Sequence, residues 1–256
     1  MNSFMKNCHF GGGGTLGKSP SLESLFKTHM AAQAARLAFT LAEVLVTLGI
    51  IGVVSAMTLP TLVKNHQRQV YVTQLHKVYN EISQAVEQVI TDSNAVSLGE
   101  SELAKKEIDG AEYFVRNYFK TSKICSTRSA SDCFADSYKN INGGTVRIRS
   151  FINPNDGYCA SALLANGASV YFITNGGRYY QWGIYTVVDV NGKQGPNILG
   201  RDLFDFVINN DGTIAVGGDV EELASDFSTN CGNTTTQSTY GACFAKILND
   251  GWKMDY

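Results

Sequence analysis

Histidine is scarce in this chain, and so are the residue patterns on which most enzyme sites depend. Only four of the 256 residues are histidines. Two of them precede residue 39, and the other two, His66 and His76, are ten positions apart, a spacing that does not suit two ligands of one metal ion. The sequence contains no Gly-x-Ser-x-Gly motif, no paired metal-binding histidines and no Cys-x-x-Cys motif. The sequence therefore predicts no enzyme, with a hydrolase built on two carboxylates as the remaining alternative.

A strong excess of one charge is also missing. The chain has 21 basic and 23 acidic residues, a formal net charge of −2, and no dense run of lysine or arginine. Nucleic-acid binding depends on clustered positive charge that meets the phosphate backbone. Nucleic acid is therefore not an expected partner.

One long apolar run is present, and it decides how the chain is interpreted. Residues Val44–Val63 carry no charge, and Glu43 stands directly before them. Twenty helical residues extend roughly 30 Å, which is the hydrocarbon thickness of a bilayer. The sequence therefore predicts a transmembrane helix over Phe39–Val63, with an acid near its start, where a charge is expensive.

The residues around that acid resemble the N-terminal segment of type IV pilins and of the pseudopilins of type II secretion. The family pattern is a small residue, then Phe-Thr-Leu-x-Glu, then an apolar helix. Here it is formed by Ala38, Phe39, Thr40, Leu41, Ala42 and Glu43. Ala38 stands where the family usually has glycine, and the acid is the fifth residue counted from Phe39, as in the family.

The resemblance implies processing and assembly. A prepilin peptidase would cut between Ala38 and Phe39 and methylate the new N-terminus at Phe39. Glu43 of one subunit would then pair with the Phe39 amine of a neighbour, which removes much of the cost of a buried unpaired charge. The implied partners are like or related pilin subunits, the prepilin peptidase, the inner-membrane assembly platform and membrane lipid.

Helix-weakening residues lie inside the apolar run. Glycine costs a helix interior about 1 kcal/mol and proline about 3 kcal/mol, so Gly49, Gly52 and Pro60 predict local unwinding. The two glycines are three positions apart and share a helix face, where they would permit close approach of a second helix. These residues are the predicted assembly positions, together with Glu43.

The chain divides by sequence into four parts. Residues 1–38 form the predicted leader, and Met30 as the true start would shorten it to nine residues. The transmembrane and assembly helix, 39–63, is followed by its amphipathic continuation, 64–94, where apolar residues recur every three or four positions. Residues 95–256 form a globular α+β head.

Short strand patterns dominate that head. Tyr158–Leu164 and Ala168–Thr174 flank Asn166-Gly167, a strong hairpin signal. The predicted fold class is α+β, with the long N-terminal helix packed on a C-terminal antiparallel sheet, which is the pilin architecture that the resemblance implies.

Five of the six cysteines lie in the head. Two pairs are close in sequence, Cys125 with Cys133 and Cys231 with Cys243. Disulfides across such loops fit an oxidising compartment, and a C-terminal disulfide loop is common in pilins. The spacing does not decide the connectivity, because Cys159 can replace a member of either pair, and buried thiols are the alternative.

A loop rich in oxygen-bearing side chains follows residue 188. Asp189, Asn191 and Asp202 are the candidate ligands of a calcium ion, since calcium accepts oxygen ligands around a glycine turn. Some pseudopilins hold calcium in a loop near the C-terminal end of the head. Asn and Asp also make tight turns without any ion, so a purely structural loop without a cofactor is the alternative.

The resemblance implies a structural subunit of a bacterial type IV pilus or type II secretion pseudopilus. It would be anchored in the inner membrane by one span, with its head in the periplasm, and would enter a periplasmic or extracellular filament after assembly. Two alternatives use the same anchor. One is a minor tip pilin or adhesin, and the other is a monomeric membrane-anchored periplasmic binding protein.

Overall fold

The structure is a computed structural model that describes residues 39–106, 109–125, 132–146, 159–174, 183–233 and 241–256. The predicted leader, with Ala38 and Met30, lies outside these ranges. The chain divides after Pro60 into two compact units.

Helix α1 comprises Leu41–Asp92 and passes from the first unit into the second. No glycine or proline occurs between Thr61 and Asn94, and the helix ends where Asn94 adopts a left-handed φ of 48°. The predicted long helix with its amphipathic second part is therefore confirmed.

The part of α1 in the first unit is helical at every residue, including Gly49, Gly52 and Pro60. The predicted local unwinding is wrong for the single chain. Proline removes one backbone donor, whereas unwinding a turn would free several donors and acceptors together. The hydroxyls of Thr47 and Thr58 donate to the carbonyl oxygens of earlier helical residues, both at 3.0 Å.

The second unit adds short helices and two sheets to α1. The α-helices after α1 are α2 (Glu102–Lys105), α3 (Gly110–Tyr118), α4 (Val220–Ser225) and α5 (Ala242–Asn249). A 3₁₀-helix comprises Leu98–Glu100, and a short π-helix comprises Ser228–Gly232. The strands are β1 (Thr121–Cys125), β2 (Tyr138–Lys139), β3 (Thr145–Val146), β4 (Cys159–Leu164), β5 (Ser169–Ile173), β6 (Ile184–Asp189), β7 (Leu203–Ile208) and β8 (Ile214–Ala215). The predicted fold class, α+β, is confirmed.

The main sheet is antiparallel, in the order β1-β4-β5-β6-β7-β8. The predicted hairpin at Asn166-Gly167 joins β4 to β5, and Gly167 has the left-handed φ of 92° that such a turn requires. Strands β2 and β3 pair separately. Short turns join β4 to β5 and β7 to β8, as antiparallel neighbours allow.

The core of the second unit combines one face of α1 with the sheet. Seven side chains of α1 are buried, and apart from the adjacent Ala85 and Val86 they recur every three or four residues: Val72, Leu75, Val78, Ile82, Ala85, Val86 and Val89. Aromatic residues of α3, β5, β7 and α5 belong to the same buried cluster, among them Phe114, Phe172 and Phe206. The predicted apolar stripe extends further toward the N-terminus than the buried face, because Val63 and Val70 are exposed.

Candidate functional site

The acid before the apolar run has hydrogen-bond partners within its own helix start. Thr40 is the residue before α1, and its hydroxyl accepts a hydrogen bond from the Glu43 N–H at 3.2 Å. Glu43 Oε2 accepts from both the backbone N–H and the hydroxyl of Thr40, at 2.9 Å each. This reciprocal arrangement is a capping box, which satisfies backbone donors that a helix start leaves unpaired.

The capping box gives Glu43 a local role that the sequence analysis missed. The signal was present, because Thr-x-x-Glu before an apolar run is the usual pattern of a capping box. Only one of the two carboxylate oxygens accepts a bond from Thr40, so the other faces outward from this pair. The same carboxylate can therefore cap its own helix and still accept a bond from another group.

The apolar surface that follows is exposed along its whole length within the first unit. None of the 18-residue apolar window in α1 is buried, and α1 is the one helix among the described residues that is long and apolar enough to cross a membrane. Phe39, the predicted methylation site, is 80% exposed. Gly49 and Gly52 have no other atom within 4 Å of where a Cβ would lie, so nothing within the described chain requires glycine there.

Two disulfides join cysteines that are near in sequence. They connect Cys125 to Cys133 and Cys231 to Cys243. Cys159 is buried in β4 and lies outside both bridges. The second bridge packs against Gly200, since a Cβ at that residue would lie 2.7 Å from the sulfur of Cys231. This bridge therefore joins the start of α5 to the short helix Ser228–Gly232, and it packs against the loop that carries the predicted calcium ligands.

In that loop, both candidate aspartates are fully buried. Asp189 ends β6, and its carboxylate accepts the hydroxyl of Tyr138 and the N–H of Asn191, the latter at 3.2 Å. Asp202 precedes β7, and its carboxylate accepts the N–H groups of Asn197, at 2.7 Å, and of Ile198. These bonds hold the loop between the two strands in a fixed conformation.

Burial gives the two carboxyls unusual proton affinities. Removal from water raises the pKa of Asp189 to about 8, and the nearby charge of Asp202 adds to that effect. Burial also raises the pKa of Asp202 to about 6, against the opposing effect of the N–H groups that its carboxylate accepts. The phenol of Tyr138 has a raised pKa for the same reasons, burial first and the Asp189 charge second.

The donor set of the loop bears on the predicted calcium site in two opposite ways. All four carboxylate oxygens of Asp189 and Asp202 already accept a hydrogen bond, as the structural alternative requires. The side-chain oxygens of Asn191 and Asn197, however, are buried and accept none. Among the described residues, no three His, Cys, Asp or Glu side chains come together as a metal site. Calcium binding at this loop stays a prediction. The side-chain oxygens of Asn191 and Asn197 are the atoms at which substitutions would test it.

Comparison of the chain with protein-family models, curated proteins and solved structures gives no match.

Proposed function

We propose that this chain is a pilin-like structural subunit of a bacterial type IV pilus or type II secretion pseudopilus. It is processed between Ala38 and Phe39 and assembles through the first part of α1. Its single span lies in the inner membrane, and its head faces the periplasm or the exterior.

The observation that carries the proposal is an acid at the start of a helix whose first part is apolar and exposed. Among the described residues, nothing covers the apolar surface of the first unit. A helix of this kind is stable in lipid or in a bundle of similar helices. Glu43 keeps one carboxylate oxygen beyond its bonds to Thr40, and an N-terminal amine of a neighbouring subunit is a suitable donor for it. The open space beside Gly49 and Gly52 supports close helix packing.

A second candidate is a monomeric anchored protein, and the capping box favours it. Because Glu43 already satisfies donors of its own helix, its presence does not by itself require a neighbouring subunit. In a filament subunit the charge of Glu43 would pair with a neighbouring subunit, whereas in a monomeric anchor it would only cap the helix. A filament subunit would also be cut before Phe39.

Mass spectrometry of the mature N-terminus tests the proposal. In cells that contain a prepilin peptidase, we expect the native protein to begin with methylated Phe39. A variant with a bulky residue before the cut, Ala38→Trp, should keep its leader and serves as the control. A native protein that retains the leader and carries no methyl group contradicts the proposal.

Copy number separates a structural subunit from a tip protein. We expect many copies along each filament, visible with an antibody against the head. Labelling confined to filament ends would assign the chain to the tip as a minor pilin or adhesin.

A further inference from the structure

A polar groove opens in the second unit, beside α1. Its volume is about 700 Å³, and its walls come from two turns of α1 and from residues 252–255 near the C-terminal end of the sequence given. The lining consists of Asn65, Arg68, Gln69, Val72, Thr73, Trp252, Lys253, Met254 and Asp255. Donors thus stand on both sides of the groove, and one tryptophan belongs to the wall formed by residues 252–255.

Two basic side chains and one acidic side chain line the groove, which leaves it with excess positive charge. The Nε–H of Arg68 is buried and has no hydrogen-bond acceptor. Within the described part of the chain, Arg68 and Lys253 form no ion pair, and Asp255 is the single acidic residue of the lining. An unpaired donor that has lost its water is costly, and a charged one more so. An anionic group in the groove would remove that cost.

A second arginine strengthens this charge. Arg201, in the turn before β7, is partly buried and has a lowered pKa, first because of burial and second because of the positive charge of Arg68 nearby. Arg201 is not among the lining residues, so it adds to the positive potential beside the groove without contacting a group bound there.

The position of Arg68 along the sequence indicates which anion this is. Arg68 follows Val63, the last residue of the uncharged run, by five positions, which corresponds to roughly 7 Å of helix. The headgroup layer of a bilayer begins where the hydrocarbon ends and is several ångströms thick. Side chains on a helix lean toward its N-terminus, which for Arg68 is the direction of the apolar run.

Trp252 holds the second wall of the groove against α1. Its ring packs 4.2 Å from the ring of His76 and 5.3 Å from that of Tyr79, measured between ring centroids. These contacts keep residues 252–255 beside the helix, so that Lys253 and Arg68 line the same groove.

We propose that this groove binds the phosphate group of an anionic membrane phospholipid, held by Arg68 and Lys253 with the amide side chains of Asn65 and Gln69. A guanidinium meets two phosphate oxygens with parallel N–H bonds, and an ammonium supplies a further charge. The inference rests on the proposed membrane anchorage. A lipid phosphate held here would fix the depth of the head at the bilayer surface.

Native mass spectrometry of the full chain in detergent micelles tests the proposal. We expect retention of phosphatidylglycerol over phosphatidylcholine, and about a tenfold weaker retention in Arg68→Gln, the loss typical of one charged hydrogen bond. Arg116→Gln is the matched control, because Arg116 is on α3 in a surface ion pair with Glu112 at 2.6 Å. It should retain the lipid as the unchanged protein does. If Arg68→Gln lowers the melting temperature of the head, the lipid measurement is made with Lys253→Gln instead, because Lys253 is exposed.

Soluble anions show whether the groove recognises a lipid phosphate or a phosphate group of any source. Glycerol phosphate should bind weakly and in an Arg68-dependent manner. Equal retention of the two lipids, or no effect of either groove variant, overturns the proposal. Inorganic phosphate that binds as tightly as the lipid overturns the lipid assignment. Binding of an oligoglutamate peptide in preference to both would show that the groove takes an acidic protein partner instead. Failure of the anchor is a separate result, seen as a full chain that does not sediment with membranes.

Discussion

Glu43 caps its own helix, and under the proposed function its charge also pairs with a neighbouring subunit, so that most substitutions would remove the cap and the charge together. Its carboxylate caps α1 through Thr40, and its charge is what the proposed neighbour would contact. Glutamine also closes a capping box, because its amide oxygen accepts the same N–H bond. The charge and the cap can therefore be separated by a choice of residue.

Substitutions at Glu43 should distinguish a filament subunit from a lone anchor. We expect Glu43→Gln to leave α1 and membrane insertion intact and to abolish filament assembly, since it keeps the cap and removes the charge. Thr40→Val, which removes the hydroxyl and keeps the charge, is the control and should reduce assembly much less. Filament yield after shearing and membrane sedimentation are the measurements. Normal assembly of Glu43→Gln would count against pairing with a neighbour's amine.

At Gly200, the bridge between Cys231 and Cys243 fixes the residue type. Gly200 has a left-handed φ of 83° and a Cβ there would lie 2.7 Å from the Cys231 sulfur. Gly143 has a similar φ of 89° but open space around it. The two glycines thus share a left-handed backbone conformation, in which any other residue would be strained, and differ in steric contact.

Alanine at these two glycines should separate strain from steric contact. We expect Gly143→Ala to lower the free energy of unfolding by about 1–2 kcal/mol, through the left-handed backbone alone. Gly200→Ala should lose about 1–3 kcal/mol more, because the methyl group displaces the disulfide. Chemical unfolding of the oxidised protein measures both. Equal losses would show that the bridge moves aside without cost.

Among the structural elements, the loop between β6 and β7 has contacts that the sequence alone does not predict. The hairpin at Asn166-Gly167 and the buried stripe of α1 were predictable, because turn chemistry and periodicity are local signals. The Asp and Asn residues of the loop could be identified from the sequence. The hydrogen-bond partner of Asp189 could not. That partner, Tyr138, is 51 positions earlier in the chain. The pKa of Asp189 was equally unpredictable, because residues distant in sequence bury its carboxyl.

The same loop predicts a pH dependence of head stability. The pKa of Asp189 is raised to about 8 in the folded protein, against about 3.9 in an unfolded chain. The folded state therefore holds a proton that the unfolded state releases, and its stabilising contribution is lost as pH rises toward 8. We expect the melting temperature to fall between about pH 5 and pH 9, and the slope to become shallower in Asp189→Asn.

A surface aspartate provides the control for that slope. Asp211 is exposed and has a lowered pKa, because its carboxylate accepts the hydroxyl and the N–H of Thr213. Its contribution disappears only at low pH, so Asp211→Asn should leave the slope between about pH 5 and pH 9 unchanged. A slope that is unaffected by Asp189→Asn would place its origin elsewhere.

Calcium at this loop has its own test. Because hydrogen-bond donors already occupy all four carboxylate oxygens, we expect a chelator to leave the melting temperature of the head unchanged. A fall in the wild-type protein that calcium reverses, and that Asn191→Leu and Asn197→Leu both abolish, would show that the buried amide oxygens ligate the ion.

At the scale of the whole molecule, the two units of the chain differ in how much of their apolar surface is exposed. The described part of the first, residues 39–60, exposes its apolar residues, whereas the second buries most of those described around the sheet. The sequence predicted this contrast, because an uncharged run of twenty residues is unmistakable. It did not predict the polar groove, which requires residues 252–255 to meet 65–73, a contact that no local pattern encodes.

A shortened chain should therefore be soluble only if the cut is placed correctly. We expect a version that begins at Thr61 to remain in solution without detergent and to melt cooperatively. A version that begins at Ala95 lacks the seven buried side chains of α1 and should not fold, since each large one contributes about 1.5–3 kcal/mol. Circular dichroism during heating compares the two. Cooperative melting of the shorter version would show that the sheet is stable alone.

The shared use of α1 also limits how such chains can recombine. A crossover after Asp92 would join the sheet of one parent to the buried helix face of another, and the side chains at that contact would no longer fit. A crossover ahead of Val72 keeps each sheet with the helix turns that it packs against. Viable chimaeras of this protein should therefore have their junctions on the N-terminal side of that residue.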